Sequence, residues 1–142
     1  MSEKNQKRPP LGIRVKNHSR VYSGYLKIDR YKISHEHYQG GWSQILDREV
    51  MHRKQISAVL PYDPNRQEII LIEQFRIGAW AGSWPQPWLL ECVAGVMENG
   101  ETAGDVAIRE AQEEAGCVIT ELELIGRFFS TPGGSSELIN LF

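Results

Sequence analysis

The sequence predicts an α/β (α+β) protein in which a small N-terminal antiparallel sheet precedes a larger mixed domain. Three observations point there. Alternating but never purely apolar strand-like segments fill the region from residue 21 to 52. Short apolar runs bounded by turn signals follow, near residues 56–60, 68–77 and 88–93. One helix-period segment, closed by a glycine, then sits between those runs and two further strand-like runs.

Length and composition bound the answer. The chain has 142 residues, 16 Lys+Arg against 18 Asp+Glu, and a formal net charge of −2. That length suits one domain with an appendage, and it is enough to bury a core without disulfides. The near-neutral balance argues against a binder of the phosphate backbone and against an acidic solvating tail. No apolar run approaches the ~18 residues of a membrane span, and the polar, basic start lacks the apolar stretch of a secretory leader. Cys92 and Cys117 show no zinc-type spacing and are expected as buried free thiols, so the expected location is a reducing cytoplasm.

In chain order, residues 1–17 are expected as a flexible start, with Lys4, Lys7, Arg8 and the Pro9-Pro10 pair. Residues 18–54 form the antiparallel unit: strands over Val21–His37 and Trp42–His52 turn back at Gln39-Gly40-Gly41. The main domain spans 55–142. Its core strands are expected at Ile56–Leu60, at Glu68–Ile77 after a turn at Tyr62–Arg66, and at Trp88–Val93 after a Pro/Trp loop. A helix from about Thr102 to Ala115 ends at Gly116, the residue type that tolerates the left-handed stop. Strands at Leu122–Phe129 and from Leu138 flank a turn at Thr131-Pro132-Gly133-Gly134.

The chemistry lies on that helix. With Val106 set to 0° and ~100° per residue, Glu113, Glu110 and Glu114 fall near 340°, 40° and 80°, and Arg109 near 300°. Ala107, Ala111, Ala115 and Ile108 occupy the small apolar arc from about 100° to 200°, suited to packing on a sheet. Glu110 and Glu114 are a like-charged i,i+4 pair, which costs an isolated helix about 0.2–0.5 kcal/mol. They lie beyond the first turn, where the helix dipole would favour acids. A hard divalent cation reverses the sign of that repulsion, and carboxylates without His or Cys favour Mg²⁺ or Mn²⁺ over zinc. The bland alternative is a solvated acidic face with Arg109 pairing Glu113 across one turn.

The wider spacing narrows this choice. Gly95, Glu101, Arg109, Glu110, Glu113, Glu114 and Gly116 satisfy every fixed position of Gly-x5-Glu-x7-Arg-Glu-x-x-Glu-Glu-x-Gly. A chance match at a given start is on the order of 1e-8. The chain therefore resembles a Nudix hydrolase. The resemblance implies an α/β/α sandwich around a mixed sheet, with the motif forming a loop–helix–loop. It also implies metal-dependent hydrolysis of a nucleoside diphosphate linked to a further group. By that resemblance Glu110 and Glu114 are metal ligands, Glu113 is a further ligand or base, and the Ala94 carbonyl is an additional ligand. Arg109 and Glu101 then hold the loop to the helix, with Gly95 and Gly116 structural.

The flanks are similar to the ADP-ribose pyrophosphatase subfamily: Leu60-Pro61-Tyr62-Asp63-Pro64, Leu71-Ile72-Glu73-Gln74-Phe75-Arg76, Trp88-Leu89-Leu90-Glu91 and Pro132-Gly133-Gly134-Ser135-Ser136-Glu137. The similarity implies Mg²⁺-dependent cleavage of ADP-ribose to AMP and ribose 5-phosphate, with GDP-mannose or another nucleotide sugar as the neighbouring substrate. A non-catalytic nucleotide-binding module is the reading from another class. The similarity also implies a homodimer made by the N-terminal unit; the charge balance and the apolar run lengths already argue against a nucleic-acid or membrane partner. Substrate contacts are expected from Tyr25, Arg48, Glu49 and Arg53 around the base, from Arg76 at the diphosphate, from Glu137 at a ribose hydroxyl, and from Thr131 and Gly133. Arg76 follows a strand with no obvious acidic neighbour, so it can reach a diphosphate bidentately. Members of the subfamily carry a further glutamate in a later loop and continue past the position of Phe142, so the Nudix domain is expected to be incomplete at its C-terminus and that role falls on no residue here.

Overall fold

A computed structural model describes residues 12–142. The part of the expected flexible start that covers 1–11 lies outside the described residues. The chain divides into two compact units, one of residues 1–53 with 131–136, the other of residues 54–130 with 137–142.

The first unit is a three-stranded antiparallel meander of β1 (Ile13–Ser23), β2 (Lys27–His35) and β3 (Leu46–His52), in the order β1-β2-β3. One strand expected over Val21–His37 is thus two strands, and the first starts at Ile13, ahead of residue 18. Gly24, Tyr25 and Leu26 make the turn, with Gly24 N–H donating to the Leu26 carbonyl at 3.1 Å. The alternation of Tyr25, Lys27 and Asp29 runs through the turn without a break, which conceals it in the sequence. The β1–β2 register shifts twice, between Val15 and Asn17 and between Arg20 and Tyr22. At the centre Asp29 is buried at 2% exposure. It accepts from Arg20, from His18 Nε2 at 2.7 Å, and faces His52 Nε2 at 3.2 Å. These partners hold its carboxyl well below the usual carboxylate range, the bond from Arg20 first. Residues 131–136 belong to this unit because their turn zips onto the end of β3. Met51 N–H donates to the Gly134 carbonyl at 2.8 Å, and Ser136 N–H to the Met51 carbonyl at 3.0 Å.

The second unit is built on a four-stranded mixed sheet in the order β10 (Gly126–Phe129), β11 (Leu138–Leu141), β4 (Ile56–Val59), β9 (Val93–Val96). Only the β11–β4 pair is parallel. Helix α2 (Ala103–Ala115) lies against β4 and β9. Val59, Val93, Ala107 and Ala111 form its core, with Ile72, Ile119, Leu122 and Phe142 packed at the margin. The mixed sheet, flanking helices and separate antiparallel sheet make the α/β/α sandwich architecture expected from the sequence.

Several local expectations need correction. The run from Glu68 to Ile77 is not one core strand: it breaks into β6 (Glu68–Ile69), paired with β5 (Tyr62–Asp63), and β7 (Ile72–Phe75). Ile69 and Leu71 are exposed, because a run apolar on both faces needs cover on both, and this one has it on one side of β7 only. Ile77–Ala81 form a short helix, α1, not a strand end. Trp88–Val93 bends at Cys92, so that β8 (Trp88–Glu91) pairs with β7 and β9 with β4. Residues 122–125 precede β10 without strand structure. Cys92 and Cys117 are free but only partly buried. No helix among the described residues is long and apolar enough to cross a membrane.

Candidate active site

Helix α2 is fixed at both ends before its acidic side chains are placed. Thr102 caps the start: Asp105 N–H donates to Thr102 Oγ1 at 3.2 Å, and Thr102 N–H returns to Asp105 Oδ2 at 3.3 Å. The Thr102 hydroxyl bond lowers the Asp105 pKa below its ordinary value. Ser57 on β4, wholly buried, donates from Oγ to the Ala103 carbonyl at 2.6 Å and pins the first turn to the sheet. Gly116 ends the helix with φ of 65°, and Cys117 N–H reaches back to the Ala111 carbonyl at 3.0 Å.

The buried arc of α2 is Val106, Ala107 and Ala111, whereas Ile108, expected on the packing face, is 44% exposed. The packing face is therefore rotated toward Val106, and Glu110 falls inside it. Its side chain is only 13% exposed. A carboxylate fits there because β9 presents Gly95. A Cβ added to Gly95 would overlap the Glu110 Cγ, Cδ and Oε1. Glu114, one turn on, accepts at Oε1 from Gln74 Nε2 at 3.0 Å and at Oε2 from Ala94 N–H at 3.4 Å. Two carboxylates from successive turns thus hang over two adjacent residues of one strand.

Arg109 gathers the remaining charge. Its Nη1 donates to Glu110 Oε1 at 2.6 Å and to Glu113 Oε2 at 3.2 Å, and its Nε donates to Glu101 Oε1 at 3.3 Å. These bonds, Glu110 first, raise the guanidinium pKa. Glu101 Oε2 also accepts the Glu98 N–H at 2.8 Å, so the loop before α2 is tied to its middle. Among the described residues no three His, Cys, Asp or Glu converge into a ready cage. Arg109 draws Glu110 and Glu113, while Gln74 and Ala94 hold Glu114. The donor set still fits a hard divalent cation: it is oxygen-only, and the crowding of Glu110 on Glu114 is relieved by positive charge.

Arg76 departs from expectation. It does have an acidic neighbour: its Nε donates to Glu91 Oε1 and Oε2 at 2.9 and 3.0 Å, and its Nη2 to Oε2 at 2.6 Å. The Glu91 bond raises its pKa. The antiparallel β7–β8 pairing sets Glu91 opposite Ile72, and the long Arg76 side chain reaches back along the ribbon to it, a proximity invisible along the chain.

The other expected contacts divide between the units. In the first, Tyr25 stands in the β1–β2 turn, 91% exposed. Glu49 pairs with Arg30 at 2.6 Å, and Arg48 donates to the Asp47 carbonyl at 2.8 Å. Arg53 N–H donates to Ser136 Oγ at 3.0 Å. The Thr131 carbonyl accepts from Ser135 N–H at 2.9 Å, closing the turn that contains Gly133. In the second unit the Glu137 carbonyl accepts from Ser130 N–H at 3.2 Å.

Comparison with known proteins decides the family. Residues 51–140 match the NUDIX domain. The chain belongs to the Nudix family. Its Nudix motif is the β9–loop–α2 segment just described. An "ADP-ribose pyrophosphatase" of Escherichia coli (strain K12) is 44% identical over 117 residues, 82% of this chain and 56% of that protein. A protein of the same name from Haemophilus influenzae is 39% identical over 132 residues, 92% of this chain and 61% of the relative. A "GDP-mannose pyrophosphatase" of Cronobacter sakazakii is 38% identical over 96 residues, 67% of this chain and 49% of the relative. The chain thus spans about half to three-fifths of these Nudix relatives. The crystal structure of an "ADP compounds hydrolase" shares the fold, with a TM-score of 0.69 at 18% identity over 94% of this chain and 67% of that one. Membership of the family implies a divalent-metal-dependent mechanism.

Two residues of the site escape a reading of the sequence alone. Glu91 needs the β7–β8 register to be seen. Gln74 leaves one signal, a polar side chain in step with Ile72 on the inward side of an apolar run.

Proposed function

We propose that this chain carries the catalytic region of an Mg²⁺-dependent ADP-ribose pyrophosphatase, which cleaves ADP-ribose to AMP and ribose 5-phosphate. The observation that carries the reading is the placement of the Glu110 and Glu114 carboxylates over Ala94 and Gly95 of one strand. The names of the most similar Nudix relatives support the substrate.

In this reading Glu110, Glu114 and the Ala94 carbonyl hold Mg²⁺, with Mn²⁺ as substitute. Such an ion neutralises charge on phosphate oxygens and lowers the pKa of bound water. Glu113, whose side chain is 59% exposed, would take the proton from the attacking water or serve as a further ligand. With Glu110 and Glu113 given to the cation, Arg109 would retain its bond to Glu101 and so keep the loop on the helix. Arg76 exchanges Glu91 for the diphosphate, a bidentate partner of the same shape. Tyr25, Arg48, Glu49 and Arg53 bracket the adenine, Glu137 meets a ribose hydroxyl, and Thr131 and Gly133 are further substrate contacts. The N-terminal unit forms a homodimer; the exposed Ile13, Val15, Val21 and Tyr22 of β1 support an apolar partner there. The free thiols Cys92 and Cys117 suit a reducing cytoplasm.

The test is AMP release from ADP-ribose in Mg²⁺, in EDTA, and by Glu114→Gln. Turnover is expected only in Mg²⁺ and is expected to fall at least ~100-fold in the variant. Equal or faster cleavage of GDP-mannose would reassign the substrate, and ADP-ribose binding without AMP would make the chain a sensor.

A further inference from the structure

We propose that Gln74 is a positioning residue, which aims the Glu114 carboxylate at the cation site through a neutral hydrogen bond rather than an ion pair. The inference rests on the reading of Glu114 as a ligand. It adds a residue outside the motif, on a different strand, forty positions away in sequence.

The argument starts from β7. Ile72 and Gln74 are its half-buried positions, Glu73 and Phe75 its exposed ones. Ile72 packs on the core formed by Val59, Val93, Ala107 and Ala111. Position 74 therefore lies on the side of the strand where an apolar residue would gain most. The half-buried amide there is directed by the strand toward helix α2. Its partner is Glu114 Oε1 at 3.0 Å, and the second oxygen of that carboxylate faces Ala94 N–H at 3.4 Å. Both donors to Glu114 are neutral.

The contrast with Glu110 gives this meaning. Glu110 bonds the Arg109 guanidinium at 2.6 Å, and its charge is compensated. A carboxylate bonded by an amide and a backbone N–H, with the Arg76 guanidinium acting on it through space and not through a bond, is oriented without being tied into an ion pair, which leaves it available to a divalent cation. Lysine at position 74 would supply a donor and cancel that charge. Methionine would fill similar space and supply no donor.

The experiment measures Mn²⁺ uptake by electron paramagnetic resonance on the full chain, without substrate, beside melting curves in EDTA. Gln74→Met is expected to weaken Mn²⁺ binding by about 10-fold or more with an unchanged melt. Gln74→Lys is expected to melt like the unaltered chain and to bind Mn²⁺ at least as weakly as Gln74→Met. Mn²⁺ affinity within about twofold of the unaltered chain in either variant overturns the proposal, while Glu114 stands as a ligand. No Mn²⁺ uptake by the unaltered chain overturns the metal-site reading and this inference together. Should Gln74→Met unfold, Gln74→Asn, too short to reach Glu114, takes its place with the same expected loss.

Discussion

Replacing Gly95 with alanine tests the packing of the site most directly. The backbone at Gly95 does not have positive φ, so alanine is conformationally acceptable there. The three heavy atoms nearest the new Cβ all belong to Glu110, and all would overlap it. Overpacking of this kind costs about 1–3 kcal/mol. Replacing glycine by alanine also restricts the unfolded chain, which returns about 0.4–1 kcal/mol. The net loss is up to about 2.6 kcal/mol, or up to roughly 8 °C in Tm for a chain of this size. In a Glu110→Ala background the overlap is gone and the same substitution should stabilise, by about 0.4–1 kcal/mol. Thermal unfolding of the four proteins in EDTA completes the cycle. If Gly95→Ala costs the same in both backgrounds, Glu110 does not occupy the space above Gly95 and the site geometry is wrong.

Gly116→Ala, at φ of 65°, should lower stability by about 1–2 kcal/mol, seen as a lower Tm with no loss of Mn²⁺ affinity beyond that of the unfolded fraction. Asp29 should make the acid limb of the stability curve steep. Its folded pKa lies below its unfolded one, so the stability it contributes is complete above about pH 4 and is lost as pH falls toward the folded value. Asp29→Asn should flatten urea midpoints below about pH 4, and parallel slopes in the two proteins would contradict that assignment. Arg76→Lys keeps the charge but loses the fork, and KM for ADP-ribose should rise about 10-fold with little change in kcat.

Much of the site was legible because the motif is local. Glu101 to Gly116 span a loop and one helix, so spacing alone places Glu110 and Glu114 on one side and Gly116 at the stop. The facing of the helix was less legible. A wheel averages residue types: it sets Ala107 and Ala111 inward correctly but adds Ile108, where Val106 takes that role, because the sheet beneath selects the arc. Segments with apolar residues on both sides, such as Ile69 to Ile72, were read as core because sequence records hydrophobicity and not the number of covering layers. Arg76 with Glu91, and Gln74 with Glu114, depend on strand register and helix placement. No spacing rule joins residues whose proximity is made by the fold.

The turn at 131–136 carries a consequence for the order of assembly. Met51 and Arg53 complete their hydrogen bonds with Gly134 and Ser136, the latter eighty-three positions downstream. During synthesis the meander emerges first, yet its last strand waits for a segment that leaves the ribosome only after the helix and most of the mixed sheet. Closing so long a loop is entropically slow, so a strand made before the helix is finished after it.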